Sequence, residues 1–477
     1  LGDSSVDKPD STGGSAVVAA PDEQTDTETK PAKSLHLWCL SPVFLALFVG
    51  VASMVPTALT GDDQFRSLWK TPKWITPDTL LLFGCGVLAM SFGALVGMSM
   101  IRKKRTYRAP WPNLSDDAVH LLRRSSTVLT AVTVLGYLGF AYLIAKAGLT
   151  PDQLLAGTAD GETPLKDVVG TIPGLTTLTQ LGIAAVVASA TLLAREYSRS
   201  ELIKLLVVIA LGLVRAYLWS ERLALLELVI PVGVVAAAHL STGKGWRRVV
   251  AQGIPAIGLV SVLPIFAIFE YFRSWTFYRA HGQTSFTDFA VSRFAGYYAT
   301  ALNNGQLVLD HLRWPGRWPY DTLEGFWSAP GISNLEIYQR LSGYQRLSGL
   351  PRPYSNTDVS PFADMLQQYA NPEFNNPSGY AGPFADYGHT GGIIFLLVAG
   401  VLIGLCYRGF CNARLWGVLL YPVVATGLIE MPRYIYWVNG RILYTWLALG
   451  VIIVLMARMR RSSAAHRSRG VTRQSWE

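Results

Sequence analysis

Charge is scarce in this chain. Only 15% of its 477 residues are Asp, Glu, Lys or Arg, against roughly 25% in soluble domains. Half of the residues are hydrophobic and the mean hydropathy is +0.29. That composition excludes a soluble enzyme, a disordered scaffold and a collagen-like rod. Cysteine is scarce too. Cys39, Cys85, Cys406 and Cys411 all fall in or beside apolar runs, which gives neither a disulfide framework nor zinc spacing. The sequence has no phosphate-binding glycine loop with lysine, no metal-type histidine pair and no G-x-S-x-G elbow. No cofactor and no metal are therefore expected. The stretch 271–390 has eight arginines and not one lysine.

What the chain does have is long apolar runs. A spanning helix needs about 20 mostly apolar residues. Ten runs qualify, near 37–60, 78–101, 125–147, 177–195, 202–218, 223–240, 249–270, 391–410, 413–432 and 440–457. The expected fold is an all-α, polytopic integral membrane protein with about 10 (10–12) transmembrane helices. Residues 1–35 are polar and without periodicity, and read as a disordered tail. No basic segment precedes the first apolar run, so a cleaved signal peptide is not expected.

Lys and Arg in short loops orient such a chain. With both termini inside, the inner segments carry 24 basic residues and the outer ones 17, eight of them in the long segment where the rule does not apply. The contrast of 24 to 9 places both tails in the cytoplasm. It also accounts for the net charge of +9 without nucleic acid as a partner. The organisation read from the sequence is then a cytoplasmic tail (1–35), helices one to seven (36–270), a large extracytoplasmic loop (271–390), helices eight to ten (391–457) and a basic cytoplasmic tail (458–477). Aromatics make up 24 of the loop's 120 residues, too many for disorder. Near 284–312 and 358–370 the pattern predicts short helices lying on the membrane surface. Between them Tyr338–Gly343 repeats at once as Tyr344–Gly349, a tandem duplication of the kind a surface tolerates.

Several outer arginines sit at helix ends: Arg215 and Arg222, Arg273 and Arg279, Arg433 and Arg441. The guanidinium fork matches phosphate oxygens and stays charged, so these six are candidates for a diphosphate. Snorkelling or interfacial ion pairing is the alternative for each. Arg222 stands out because its turn, Trp219–Arg222, is so short that a lipid-facing charge would be costly. Glu270 and Arg273, like Glu430 and Arg433, are three apart and share a face if the helix continues. They either serve the site or neutralise one another. Glu227, inside the sixth run, needs a partner. The segment Asn371–Gly392 is rich in glycine and proline and reads as a turn-rich loop leading into the eighth helix. Its Asp386 and His389 are candidates for proton transfer; a helix cap and an interfacial hydrogen bond are their alternatives. Asp62 and Asp63, just after the first run, fit a turn or cap better than a catalytic base.

Three stretches carry a family resemblance. They are Phe65…Trp69-Lys-Thr-Pro-Lys-Trp-Ile-Thr-Pro with the following helix, Ser220-Glu-Arg222-Leu-Ala-Leu-Leu, and Gly379-Tyr-Ala-Gly-Pro-Phe-Ala-Asp-Tyr-Gly-His-Thr-Gly-Gly392 after a long outer loop. The chain resembles the Wzy-type polymerases of O-antigen and oligosaccharide repeat units. Arg222 and Gly233 also match an Arg-to-Gly spacing in that family, as do Arg247 and Gly258. The resemblance implies a GT-C-like membrane glycosyltransferase of the bacterial plasma membrane. It would polymerise undecaprenyl-diphosphate-linked oligosaccharides on the outer face, without metal, alongside a chain-length regulator protein. On that reading the six arginines hold the diphosphate, and Asp386, His389 and Glu430 are the catalytic candidates. The rivals are a lipid-linked glycan ligase, a GT-C transferase using Asp62 or Asp63, and a flippase or transporter without chemistry.

Overall fold

The computed structural model describes residues 32–33, 37–102, 106–107, 111–112, 114–156, 165–170, 172, 174–219, 221–282, 285–312, 318–329, 331–332, 335, 337–342 and 361–473. The tail before residue 32, the second copy of the six-residue repeat and the side chain of Arg273 lie outside that description.

The described chain is helical except for one small antiparallel pair, β1 (Ala32–Lys33) with β2 (Thr106–Tyr107). The helices run α1 (Pro42–Leu59), α2 (Asp62–Trp69), α3 (Pro77–Met100), α4 (Asp116–Lys146), α5 (Pro151–Ala156), α6 (Leu165–Val169), α7 (Leu175–Arg195), α8 (Arg199–Leu218) and α9 (Arg222–Ser241). They continue as α10 (Trp246–Glu270), α11 (Thr276–Ala280), α12 (Phe286–His311), α13 (Glu324–Trp327), α14 (Ile337–Ser342), α15 (Pro361–Tyr369), α16 (Ala381–Cys411), α17 (Leu415–Glu430) and α18 (Gly440–Arg473). All ten apolar runs are helices. Among the described residues, eight are long and apolar enough to cross a membrane: α1, α3, α4, α7, α9, α10, α16 and the first 20 residues of α18. The other two are α17, which is only 16 residues long, and α8, which carries Arg199, Glu201, Lys204 and Arg215.

Local chemistry sets the ends. Pro42 and Pro77 open α1 and α3 at positions where no amide donor is needed. Thr76 caps α3 by accepting from the Thr79 amide at 3.2 Å. The tightest seam joins α3 to α16, which run parallel although nearly 300 residues separate them. Gly93 and Gly97 of α3, and Gly400 and Gly404 of α16, face the partner's backbone so closely that a Cβ would overlap a carbonyl oxygen. Two such small-xxx-small pairs let helices meet where no hydrophobic effect drives them together. At the centre lies α7, 78% of its apolar window buried, whereas α10 is peripheral at 12%.

Two expectations are corrected here. The first loop helix is not short: α12 has 26 residues and buries one face against α1, α10 and α16. Its Asn303 accepts from the amides of Trp74 and Ile75 at 2.6 and 2.9 Å, and its Asn304 donates to the carbonyls of Phe374 and Asn376 at 2.7 and 3.1 Å. Two distant loops are thereby tied to one helix. The eighth apolar helix also starts ten residues earlier than its hydropathy indicates. Residues 381–387 are already helical, held by the buried Tyr380, Phe384 and Ala385, and the break falls at Gly388, whose φ of 68° suits glycine.

Candidate functional site

The ends of α8, α10 and α17 and the starts of α9 and α18 meet at the face that carries the described part of residues 271–380. Each brings charge with it. Arg222 opens α9, and its Nη2 donates to Glu270 Oε1 at 2.5 Å and to the Tyr297 hydroxyl at 2.9 Å. The guanidinium lies 4.0 Å from the Phe266 ring centre and 4.7 Å from that of Tyr297, which adds a cation–π attraction away from bulk water. Glu270 closes α10 and is fully buried. The backbone passes there into one π turn, Tyr271–Trp275, and the expected Glu270–Arg273 pair lies outside the described side chains. Glu270 pairs with Arg222 and, at 3.4 Å, with Arg293 Nε. Arg293 reaches on to Glu373, whose Oε2 also accepts from the Tyr278 hydroxyl at 2.7 Å. Burial opposes charge on Arg293, but Glu270, Tyr297 and Glu373 overcome it and hold its pKa above the usual arginine value.

A second group stands beside the first. Glu221 Oε2 accepts from Arg215 Nη2 at 2.9 Å and Arg441 Nη2 at 2.7 Å. Burial works to raise the Glu221 carboxyl, yet Arg441 and Arg215 together keep it below the usual carboxylate range. Arg215 also donates to Thr179 Oγ1 at 2.8 Å. The third pair is Glu430 and Arg433, 2.7 Å apart: α17 ends at Glu430, and the turn that follows brings Arg433 back onto it. Arg433 reaches Asn376 at 3.4 Å and lies 5.8 Å from the Tyr297 ring centre. Glu227 is 3% exposed, and Arg441, Arg215, Glu221 and Glu430 are the charges near enough to act on it.

The belt thus holds Arg215, Arg222, Arg293, Arg433 and Arg441 against Glu221, Glu227, Glu270, Glu373 and Glu430. It is formally neutral, but it is not saturated. Nε of Arg215 and Arg433, Oε2 of Glu227, and the hydroxyls of Tyr434 and Tyr436 are buried without a hydrogen bond, while Arg293 Nε and Glu270 Oε2 meet only each other, as the ion pair at 3.4 Å. Each such atom costs about 1–3 kcal/mol while it stays unmet. The arginines with most access to solvent are Arg441 at 24% and Arg433 at 19% of their side chains.

The remaining candidates lie elsewhere. Asp386 is a cap: Oδ1 accepts from the amides of Tyr320 and Asp321, and Oδ2 from the amide and hydroxyl of Thr322, at 2.7–3.1 Å. Its carboxylate is committed to the short turn Asp321–Leu323. His389 follows Gly388 and is exposed. Arg279, in the five-residue α11, is exposed as well. Asp62 begins α2, pairs with Arg66 at 2.6 Å and accepts from the Lys73 amide at 2.8 Å. Among the described residues no three His, Cys, Asp or Glu side chains form a set able to hold a metal ion. Of the nine residues proposed from sequence, Arg215, Arg222, Arg433, Arg441 and Glu430 come together. Arg293 and Glu373 join them without having been singled out, because only the tertiary fold carries them there. The lysine-free, arginine-rich composition of the loop was the one available signal.

Comparison with known protein families, with curated proteins and with solved structures finds no match to this chain.

Proposed function

We propose that this chain is a membrane glycosyltransferase with a GT-C-like arrangement that joins polyprenyl-diphosphate-linked oligosaccharide repeat units at the outer face of a bacterial plasma membrane. The observation that supports it most is the unsaturated arginine belt beside an apolar cleft. The cleft has a volume of about 560 Å³ and is lined by Leu213, Val214, Leu225, Ile265, Ile268 and Phe269 among others. Leu225 is one turn from Arg222, and Phe269 precedes Glu270. A ligand suited to both parts has an apolar chain and an anionic head, as a polyprenyl diphosphate has.

In this reading Arg433 and Arg441, the more open pair, receive the diphosphate, and Arg222 is a positioning residue that fixes Glu270 and Tyr297. The glycan's anomeric carbon leaves its phosphate oxygen, and a hydroxyl of the incoming unit bonds to that carbon. The hydroxyl proton goes to a belt carboxylate, Glu430 or Glu227. The lipid diphosphate departs with the electron pair, its charge met by arginine. No nucleotide is consumed, since the diphosphate is itself the leaving group. This reading places both termini in the cytoplasm, and the basic-residue contrast of 24 to 9 supports it.

The test is the length distribution of lipid-linked glycan in cells without this protein. Single repeats accumulating outside support the polymerase. Full-length, untransferred chains would make the protein a ligase, and repeats trapped inside a flippase. In purified protein, Arg433→Lys should lower chain elongation ~10²-fold, since a point charge replaces the fork.

A further inference from the structure

A second cavity lies against the belt and is unlike it. Its volume is about 210 Å³, and its lining includes Thr176, Thr177 and Gln180 of α7, Ser328 after α13, and Tyr444 of α18. None of these residues is charged. Gln180 is only 5% exposed, yet no hydrogen bond among the described residues reaches its carboxamide; the half-buried hydroxyls of Thr176, Thr177 and Tyr444 and the exposed one of Ser328 make none either and are open to solvent. Five neutral polar side chains thus line one space without a hydrogen-bond partner among the described residues. Two glycines make that space. Gly325 lies so close to the Val438 and Asn439 backbone that any Cβ would collide, and a Cβ on Gly440 would stand 2.9 Å from Ser328 Oγ. The place is also particular. Thr179, which accepts from Arg215, precedes Gln180, and Arg441 follows Gly440. The cavity therefore abuts the end of the belt where the open arginine stands.

We propose that this cavity is a subsite for one uncharged sugar ring of the lipid-linked glycan. The inference rests on the glycosyltransferase reading for the identity of the glycan, but not for the chemistry of the pocket. Hydroxyl and carboxamide groups both donate and accept, as a ring of hydroxyls requires, and the Tyr444 ring offers an apolar surface to a sugar face. Charge is absent where an anion would demand it. The volume matches about seven waters at roughly 30 Å³ each, which is room for a single ring and not for a longer segment.

The experiment reads binding without turnover. Saturation-transfer NMR on the detergent-purified protein uses glucose, galactose, N-acetylglucosamine and glucuronic acid as probes. At least one neutral sugar should bind, and glucuronic acid should not. Thr177→Val and Ser328→Ala remove hydroxyls with little change of volume; the double variant should bind at least ~10-fold more weakly, as loss of two hydrogen bonds implies, with an unchanged melting temperature. No binding of any neutral sugar by the wild type, or equal binding by the double variant, overturns the proposal. Gln180→Leu gives an independent reading of the same loss should the double variant fold poorly. A protein that elongates glycan but binds no neutral sugar loses the subsite alone. One that binds sugar through these residues but elongates nothing loses the polymerase reading alone.

Discussion

Two buried charged clusters occupy opposite faces of this bundle, and they are built to different rules. At the face away from residues 271–380, Glu201 is fully buried, with Oε1 2.5 Å from Lys204 Nζ. Its Oε2 accepts from Ser126 and Ser189 at 2.8 and 3.2 Å, and Lys204 also donates to Thr127 at 3.0 Å. None of those side chains has an orphaned buried atom. The arginine belt has five: Nε of Arg215 and Arg433, one Glu227 carboxylate oxygen and the hydroxyls of Tyr434 and Tyr436. A buried charge is tolerable when every lone pair and proton is met. The closed cluster meets both oxygens of its buried carboxylate within the protein, and its partly exposed Lys204 has water within reach. The belt keeps donors and acceptors in reserve, which is a reason to assign it a ligand and to assign the other cluster a role in folding.

The largest effect should come from opening the closed cluster. Glu201→Ala leaves Lys204 without its carboxylate and two serines without their acceptor, inside a bundle. Stability should fall by about 3–5 kcal/mol, seen as a lower melting temperature in detergent. Elongation per folded molecule should stay near wild type. A variant that folds normally but elongates nothing would show that this cluster is also functional and would dissolve the contrast.

A smaller effect of the opposite kind is expected at the belt. Arg222→Lys keeps the charge beside Glu270 but loses the planar guanidinium, whose Nη2 bonds both Glu270 and Tyr297 and whose face lies on Phe266. Misplacing a positioned group can cost on the order of 10²-fold. Turnover should fall by that order while KM for the lipid-linked substrate and the melting temperature change little. If Lys substitutes freely, Arg222 is an interfacial arginine and no more.

The all-helical plan was legible in the sequence because lipid demands long apolar runs: each of the ten runs is a helix, and eight of the described helices are long and apolar enough to cross a membrane. The belt was half legible. Arg215, Arg222, Glu430, Arg433 and Arg441 sit at helix ends, where hydropathy stops abruptly and charge is conspicuous. Arg293 is hidden in the middle of α12, whose polar side chains suggest a surface helix, although Arg293, Asn303 and Asn304 point inward. Glu270 could be paired locally only with Arg273; its real partners come from 48 and 23 residues away. Asp386 was misplaced for a related reason. Glycine and proline between 371 and 392 signal a loop, so the helical stretch 381–387 and the turn that its carboxylate caps were invisible. The neutral pocket left no trace at all, since its five polar residues are ordinary ones on three separated elements.

The smallest effect should come from a carboxylate that belongs to neither cluster. Asp62 lies on the same face as the belt but outside it, on the surface at the start of α2. The Lys73 amide and Arg66 hold its carboxyl below the usual carboxylate range. A depressed pKa means that the folded state prefers the ionised form. Its stabilisation is therefore complete above the unfolded-state pKa, near 3.9, and is lost as pH falls through the lower, folded value. At neutral pH the interaction is intact, but solvent screens it. Asp62→Ala should consequently leave elongation unchanged and loosen only the turn between α2 and Lys73, detectable as faster amide exchange at residue 73. Protonating wild-type Asp62 in acid should produce the same loosening, and the variant should show no further change there. A well-folded Asp62→Ala protein without activity would reverse the assignment of this face: the base would lie in the first loop, and the arginine belt would become its scaffold.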